Sequence, residues 1–445
     1  MLISFSVENY RSFADEQTLS LEAVKDAAHP EHVVDCGRFS LLKTAVLYGA
    51  NASGKSNLLK AFQFMAGFVK ASATKMTLGD PIRGADCFRL DKARAGMPCS
   101  FDIRILLDGT EYQYGFSATQ ERVHDEWLYI TREGTRAANP LSRTFDPTTG
   151  KTEWKLRGDL EKTKDITEKT RDNGLFLSRA AEMNVDCVKQ IFSWLTGRFR
   201  YLNLALSSDW LVEHTVRRME NDGAFRTRAE TLIRDADFGI VGIDSLVMSL
   251  RHRAKAWEDL VKNGPLPGWP EDAITRVNEI LIDRLTSMAE GPPRGVKTLH
   301  RLPNSDETVA FSLKDDESNG TQRFLGILGP ILDVLDRGDL LVVDELDCSM
   351  HPHLTYKLVE MFQSAEANTK GAQLVFATHD TNLMTPALFR RDEIWLTEKS
   401  AGGGTELFSL ADIQSKPRKD DAFEKHYLAG RYGAIPSFGP SLETF

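Results

Sequence analysis

The stretch AVLYGANASGKSNLLKAF, residues 45–62, decides the reading of this chain. Ala45-Val46-Leu47-Tyr48 is a short apolar run of strand character, and NLLKAFQFMAGFVKA from Asn57 has helical spacing. Between them stands Gly49-Ala50-Asn51-Ala52-Ser53-Gly54-Lys55-Ser56-Asn57, a glycine-rich turn that leaves a strand and opens a helix. That context is what a phosphate-binding loop requires. Glycines let successive backbone N–H groups face anionic oxygens, so the main chain from Gly49 through Asn51, Ala52, Ser53 and Gly54 to Asn57 is the expected cradle. The helix N-terminus adds partial positive charge. Lys55 is expected to reach the β- and γ-phosphates and the Ser56 hydroxyl to ligate Mg²⁺. The bland alternative, a chance glycine-rich turn, is disfavoured because strand, loop and helix are all in place.

Working outward, Leu340-Leu341-Val342-Val343 is a buried-strand run ending in Asp344-Glu345. Adjacent residues on a strand point to opposite sides, so the two acids can do different work. Asp344 is expected to hold the hydration shell of Mg²⁺, and Glu345 to polarise the attacking water. Many strands end in an acidic turn, so this pair gains weight only by lying downstream of a phosphate loop. Phe376-Ala377-Thr378-His379 ends the next strand. A lone histidine there is usually a surface or core residue. If its strand runs beside the carboxylate strand, however, His379 shares an edge with Asp344 and Glu345 and can sense a γ-phosphate. Glu317-Ser318-Asn319-Gly320-Thr321-Gln322-Arg323, leading into FLGILGPIL, is a second anion-site candidate at a helix start. One protomer does not need two such sites for one triphosphate, whereas two protomers head to tail would use one each.

The rest of the chain bounds the answer. Its 445 residues are 41% apolar and 27% charged, enough for a packed core and against global disorder. With 55 basic and 64 acidic residues the net charge is −9, which argues against gripping nucleic acid with the whole surface. Five scattered cysteines without a CxxC pair suit reduced thiols, and Cys348 reads as a packing residue. No stretch is long and apolar enough for a bilayer, and the alternating MLISFSVENYRSF lacks a leader pattern. A cytoplasmic protein with no membrane partner is the expectation. Ile3, Phe5 and Val7 form one strand, and SFDIRILL, EYQYGFS and VHDEWLYIT read as an antiparallel meander. From 156 to about 298 the chain reads as helical, as in LSRAAEMNVDCVKQIFSWL and DAITRVNEILIDRLTSMAE, with loops at Pro265–Pro270 and Gly291-Pro292-Pro293. VAFSL (309–313), LLVVDE and QLVFATHD then alternate with helices, which predicts a mainly parallel sheet.

The order of these motifs resembles the ATP-binding-cassette superfamily in its SMC-like branch, over about 1–60 and 305–400. Ser318-Asn319-Gly320 takes the signature position, Leu346-Asp347 the D-loop position and His379 the switch position. The spellings DELDCSMHP, QLVFATHD and YLAGRYGAIP look like bacterial AAA-type ATPases of abortive-infection and restriction-linked operons, the RloA/AbiL-like group. They also resemble the ATPases of the PARIS and Septu systems, and the residues alone do not choose among these. The resemblance implies an α/β fold: an ABC-type P-loop ATPase core, mainly parallel sheet plus antiparallel meander, with an inserted α-helical domain. The composition shift at about 156, the motif positions and the charged, aromatic tail divide the chain at 1–155, 156–300, 301–412 and a docking tail 413–445. ATP and Mg²⁺ are the implied cofactors. The implied assembly is a head-to-tail homo-oligomer that sandwiches nucleotide, with Ser318 and Gly320 facing the partner's γ-phosphate. The implied partner is a separately encoded nuclease or toxin in defence against phage, triggered by nucleic acid or a phage protein. Arg11, in NYRSF, holds a position that in this branch lies near the nucleotide; an edge-strand surface residue is the equal alternative.

Departures from the pattern are specific. Asn319 replaces the first glycine of the transporter signature, and Gln63, Gln113 and Gln120 are the candidates for the Q-loop glutamine. About 65 residues follow His379, too few for an appended nuclease domain. The basic clusters Arg198–Arg200, Arg217-Arg218, Arg226–Arg228 and Arg251–Lys255 stand among acids, so an ion-paired helix face is the default and a nucleic-acid strip the alternative. Trp194, Phe199 and Tyr201 read as helix-packing aromatics before base-stacking ones. His351 either meets a dimer mate or packs. The rival to a defence regulator is an SMC-like ATPase acting on DNA in repair or recombination, and a nucleotide-gated scaffold is a third reading.

Overall fold

The computed structural model describes residues 1–205, 209–236, 238–245, 277, 280, 295–413 and 422–436. The chain divides into two compact units, one of Met1–Asn203, Val334–Asp347 and Thr355–Phe445, the other of Leu204–Asp333 and Cys348–Leu354. The fold is α/β.

The first unit holds two sheets. One has six strands in the order Phe199–Asn203, Leu340–Asp344, Gln373–Ala377, Thr44–Gly49, Ile394–Lys399, Thr405–Ser409. The first five run parallel, and the last is antiparallel to its neighbour. LLVVD, QLVFA and TAVLYG are buried along their whole length. Such continuous burial is what a parallel sheet covered on both faces imposes. The other sheet has seven antiparallel strands, running from Lys151–Leu156 through Ala138–Asp146, Val123–Thr131, Thr110–Ala118, Cys99–Leu107 and Leu2–Glu8 to Gln17–Ser20. Its strand CSFDIRILL alternates buried and half-buried residues, the pattern of a sheet with one wet face.

The helix Lys55–Ala71 packs against strands of both sheets. Leu58, Leu59, Phe62, Met65, Phe68 and Val69 are its buried positions, and Phe62 stacks on Phe5 with ring centroids 3.7 Å apart. Each such side chain contributes about 1.5–3 kcal/mol on burial, so the helix that opens after the phosphate loop is anchored by its own stem. Gln373 stitches the sheets together: its Nε2 donates to the carbonyls of Leu2 (3.0 Å) and Leu42 (2.9 Å), and its Oε1 accepts from the Leu2 N–H (2.5 Å). The segment 422–436 packs on this unit through buried Phe423, Tyr427 and Tyr432, with Thr381 donating to Glu424 at 2.7 Å.

The second unit contains helices Asp209–Asn221 and Gly223–Asp235, the start of helix Asn319–Arg337, and a three-stranded antiparallel sheet, Ile240–Asp244, Lys297–Arg301, Thr308–Ser312. Pro330 removes an N–H from its helix and leaves the Gly326 carbonyl without its intrahelical donor. The Thr215 hydroxyl donates to that carbonyl at 2.9 Å and accepts from the Gly329 N–H at 3.0 Å. Gly326 and Gly329 make this approach possible, since a Cβ at Gly329 would stand 2.4 Å from Thr215 Oγ1.

Three local expectations change. VAFSL joins the antiparallel sheet of the second unit and not the parallel one, because its strand pairs only with Lys297–Arg301 among the described residues. FRYLN at 199–203, inside the stretch read as helical, is an edge strand of the parallel sheet, so Phe199 and Tyr201 pack from a strand. Trp194 is buried in the core and unavailable to a base. The meander also continues two strands beyond Thr131, to Leu156. The Arg251–Lys255 cluster, the Pro265–Pro270 and Gly291–Pro293 loops, nearly all of DAITRVNEILIDRLTSMAE and the charge run 416–421 lie outside the described residues. Among the described residues no helix is long and apolar enough to cross a membrane.

Candidate functional site

The parallel sheet brings the chemistry together at one edge. Strand Gln373–Ala377 lies between the carboxylate strand and the phosphate-loop strand, with Val343 beside Phe376 and Ala377 beside Leu47. Asp344, His379 and the loop after Gly49 therefore leave the C-terminal ends of three neighbouring strands, where open parallel sheets bind ligands.

The loop is shaped from outside as much as from within. Gly49 has φ 149° and Gly54 φ 123°. A Cβ on Gly49 would come within 2.3 Å of the Thr397 carbonyl, and one on Gly54 within 2.2 Å of Thr405 Oγ1. Ser53 Oγ and Thr397 Oγ1 share a hydrogen bond of 2.6 Å. The Thr405 hydroxyl donates to the Ser53 carbonyl at 2.7 Å and lies 2.8 Å from Ser12 Oγ, which in turn accepts from Asn57 Nδ2 at 2.9 Å. Behind Gly54 the helix starts with no side-chain cap and no acid in its first turn. Its positive pole is left for an anion.

Lys55 is only 6% exposed, and its ammonium donates to the loop's own Gly49 and Ala50 carbonyls at 2.6 and 3.2 Å. Burial pulls its pKa down to about 8, against the opposing pull of Asp344, Asp347 and Glu345. Ser56 Oγ donates to Asp344 Oδ1 at 3.0 Å, and Asn203 Nδ2 to Asp344 Oδ2 at 3.2 Å. Burial raises the pKa of Asp344, while the Ser56 hydroxyl, Lys60, Lys55 and His379 work in the other direction. Two oxygen donors so placed suit a hard cation.

Glu345 corrects the alternation argument. The strand ends at Asp344, and Glu345 adopts φ 59°, so a left-handed turn and not strand geometry sets its direction. The chain then runs into Leu346, whose N–H bonds to the Ala377 carbonyl at 3.1 Å, and Asp347, whose Oδ2 accepts from the His379 N–H at 3.4 Å. The other oxygen, Asp347 Oδ1, is buried and lacks a hydrogen-bond partner. His379 is solvent-exposed as a residue, yet partial burial of its ring and then the Lys55 charge lower its pKa from 6.5 and favour the neutral ring.

Arg11 takes φ 49° in the turn after the first strand, its N–H bonded to the Asp86 carbonyl at 2.8 Å and its guanidinium to Asp86 Oδ2 at 3.3 Å. Its neighbour Ser12 is the residue that touches Asn57, so Arg11 stands beside the loop. Among the glutamine candidates, Gln120 reaches Asp86 at 3.2 Å, Gln113 is held by Asp102 on the antiparallel sheet, and Gln63 is exposed.

Ser318 and Gly320 belong to the second unit. Ser318 Oγ accepts from the Thr321 N–H at 3.1 Å and so caps its own helix. Gly320 leaves room for the Ser349 carbonyl, which a Cβ would approach to 2.7 Å. Among the described basic residues of this unit, Arg217 pairs with Glu213 (2.6 Å), Arg218 with Asp333 (3.0 Å) and Arg226 with Glu230 (3.0 Å). His351 is exposed, and its Nδ1 accepts from the His353 N–H at 3.2 Å.

Sequence reasoning did not find Asn203, Ser12, Thr397 or Thr405. Ser12 lies next to Arg11 in NYRSF and was within reach of a local reading. The others depend on pairing across the sheet, for which the sequence carries no local pattern.

The model of the family described as "AAA domain, putative AbiEii toxin, Type IV TA system" matches residues 45–385. No curated protein sequence matches. Two solved structures of the recombination mediator protein RecF in the RecFOR pathway are each 12% identical. The one designated RecF-ATPrS covers 92% of this chain and 98% of its own, with a TM-score of 0.27; RecF-ATP covers 85% and 92%, with a TM-score of 0.25. Superpositions that loose carry no argument about this chain.

Proposed function

The chain belongs to this AAA-domain family, and on that premise we propose that it binds ATP and hydrolyses it to ADP and phosphate. The observation that carries the reading is the convergence of an uncapped helix start, Lys55, Ser56, Asp344 and His379 on the ends of three adjacent parallel strands. On this reading the loop amides from Asn51 to Asn57 hold the phosphates, and Lys55 exchanges two backbone carbonyls for the β- and γ-phosphate oxygens. Ser56 and Asp344, already bridged at 3.0 Å, fit Mg²⁺. That ion when bound would offset charge on the β- and γ-phosphates. Glu345 takes a proton from the attacking water, and neutral His379 donates a hydrogen bond to the γ-phosphate. Arg11 steadies the nucleotide from the Ser12 side.

We further propose that closure needs a second copy of the chain, whose Ser318 and Gly320 complete the pocket, and that the closed oligomer controls a separately encoded nuclease or toxin in phage defence. The family's description, which names a toxin and a toxin–antitoxin system, supports the link to a toxin system. The pairing of Arg217, Arg218 and Arg226 with acids withdraws these three from a strip that would grip DNA phosphates.

The test combines ATP calorimetry, phosphate release and solution mass. Lys55→Ala is expected to weaken ATP binding about 100-fold, the loss of a charge-assisted contact worth about 3 kcal/mol. Glu345→Gln is expected to keep binding while turnover falls by about 10²–10⁴, and with ATP to shift the mass to a dimer or larger species. Parental turnover in Glu345→Gln would remove the base assignment, and an unchanged mass would remove the sandwich. DNA-stimulated turnover that declines steeply with salt would favour the repair reading instead.

A further inference from the structure

At the opposite end of the parallel sheet, before its strands begin, His29-Pro30-Glu31-His32 forms a tight turn in which one atom from each of His29, Glu31 and His32 lies within 4.8 Å of the others. The hydrogen bonds around it fix which atoms these are. His29 Nε2 lies 2.8 Å from the Pro386 carbonyl, a group that only accepts, so that nitrogen carries the proton. His32 Nδ1 lies 2.9 Å from Glu393 Oε2, so it donates there. Glu393 is fully buried and also accepts from the Arg390 N–H (2.8 Å) and the Thr44 hydroxyl.

In the neutral tautomer that these bonds select, each ring's remaining nitrogen offers a lone pair, and both face the same carboxylate oxygen. His29 Nδ1 is 3.1 Å and His32 Nε2 3.6 Å from Glu31 Oε1. Three acceptors converging at these distances repel one another unless something positive lies among them. The rings are also stacked, with centroids 4.5 Å apart, so the two imidazoles approach the carboxylate from one side. The two separations from Glu31 match the edges of a tetrahedron about a zinc ion with ligand bonds of about 2.0–2.1 Å. A buried carboxylate behind one histidine and a backbone carbonyl behind the other are the outer partners that orient metal-bound imidazoles.

We propose that His29 Nδ1, His32 Nε2 and Glu31 bind one divalent transition-metal ion of the zinc class, with a fourth position open to water. The ion stands away from the phosphates. Its second layer, through Glu393, holds Thr44 at the start of the phosphate-loop strand and the residue before Ile394–Lys399, so it braces the two strands that grip the loop.

The experiment uses the tag-free full chain, stripped with chelator and titrated with Zn²⁺ by calorimetry, and with Co²⁺ for its absorption spectrum. His29→Ala, at a half-buried position, and Glu31→Gln, at an exposed one, are compared with His351→Ala as a surface-histidine control. The expected result is one tight zinc site and a tetrahedral cobalt spectrum in the parent. Both should persist in His351→Ala, while His29→Ala and Glu31→Gln lose at least about tenfold in affinity. A parent that binds no zinc, or equal affinity in parent and His29→Ala, would overturn the proposal and leave protons as what fills the turn.

Discussion

The loop at 49–57 and the turn at 317–323 are built from the same materials, a glycine, a serine and a helix start, but differ in what those groups are doing. In the loop the serine and glycines serve neighbouring strands, and the helix pole is uncapped. In the turn Ser318 already caps its helix, and Gly320 makes way for a carbonyl of its own unit. A glycine–serine helix start is thus an anion site only when its own chain has not satisfied it. For Ser318 to reach a partner's phosphate, it must exchange the Thr321 N–H for a phosphate oxygen.

The most damaging way to break the contrast is at Gly49. Gly49→Ala adds a methyl 2.3 Å from the Thr397 carbonyl at φ 149°. Overpacking and backbone strain together should cost about 3 kcal/mol or more, read as a lower denaturant midpoint. A smaller effect sharpens it through pH. Lys55 has a pKa of about 8 in the free protein, and bound phosphates raise it. Nucleotide binding therefore favours the protonated form, is at full strength below pH 8 and weakens as pH rises above it. Calorimetry at pH 9 should give an affinity about tenfold below that at pH 7, and Lys55→Gln should lose this dependence. A flat profile in the parent would mean that Lys55 does not meet phosphate. The smallest effect is at Ser318, where Ser318→Ala should cost about 1 kcal/mol of stability as a lost cap. If melting is unchanged but ATP-driven assembly disappears, the cap is incidental and the partner contact is the serine's main task.

What could be read in advance follows from where the information lies. AVLYG, LLVVD and QLVFA announce themselves because strands buried on both faces are unbroken apolar runs. FRYLN does not, since an edge strand with Arg200 and Tyr201 looks like the charged helices around it. ANPLSRTFD and KTEWKL hide for a similar reason, being the half-exposed outer strands of the meander. Lys55, Ser56 and Asp344 were legible because their chemistry is local to a motif. Thr397 and Thr405 act on Ser53 from about 350 positions away, and only the sheet order reveals them. Glu345 was found for its charge, whereas its left-handed turn was invisible to an alternation rule.

The position of the phosphate-loop strand has a further consequence. Both of its neighbours, Gln373–Ala377 and Ile394–Lys399, come from the last quarter of the sequence. During synthesis the loop emerges early but has no walls until more than 300 further residues have left the ribosome. A nascent chain is thereby kept from engaging nucleotide prematurely, and folding waits on distant pairings that form slowly. Truncation between Asn57 and Ile394 should yield a chain that carries the loop's residues yet has no site.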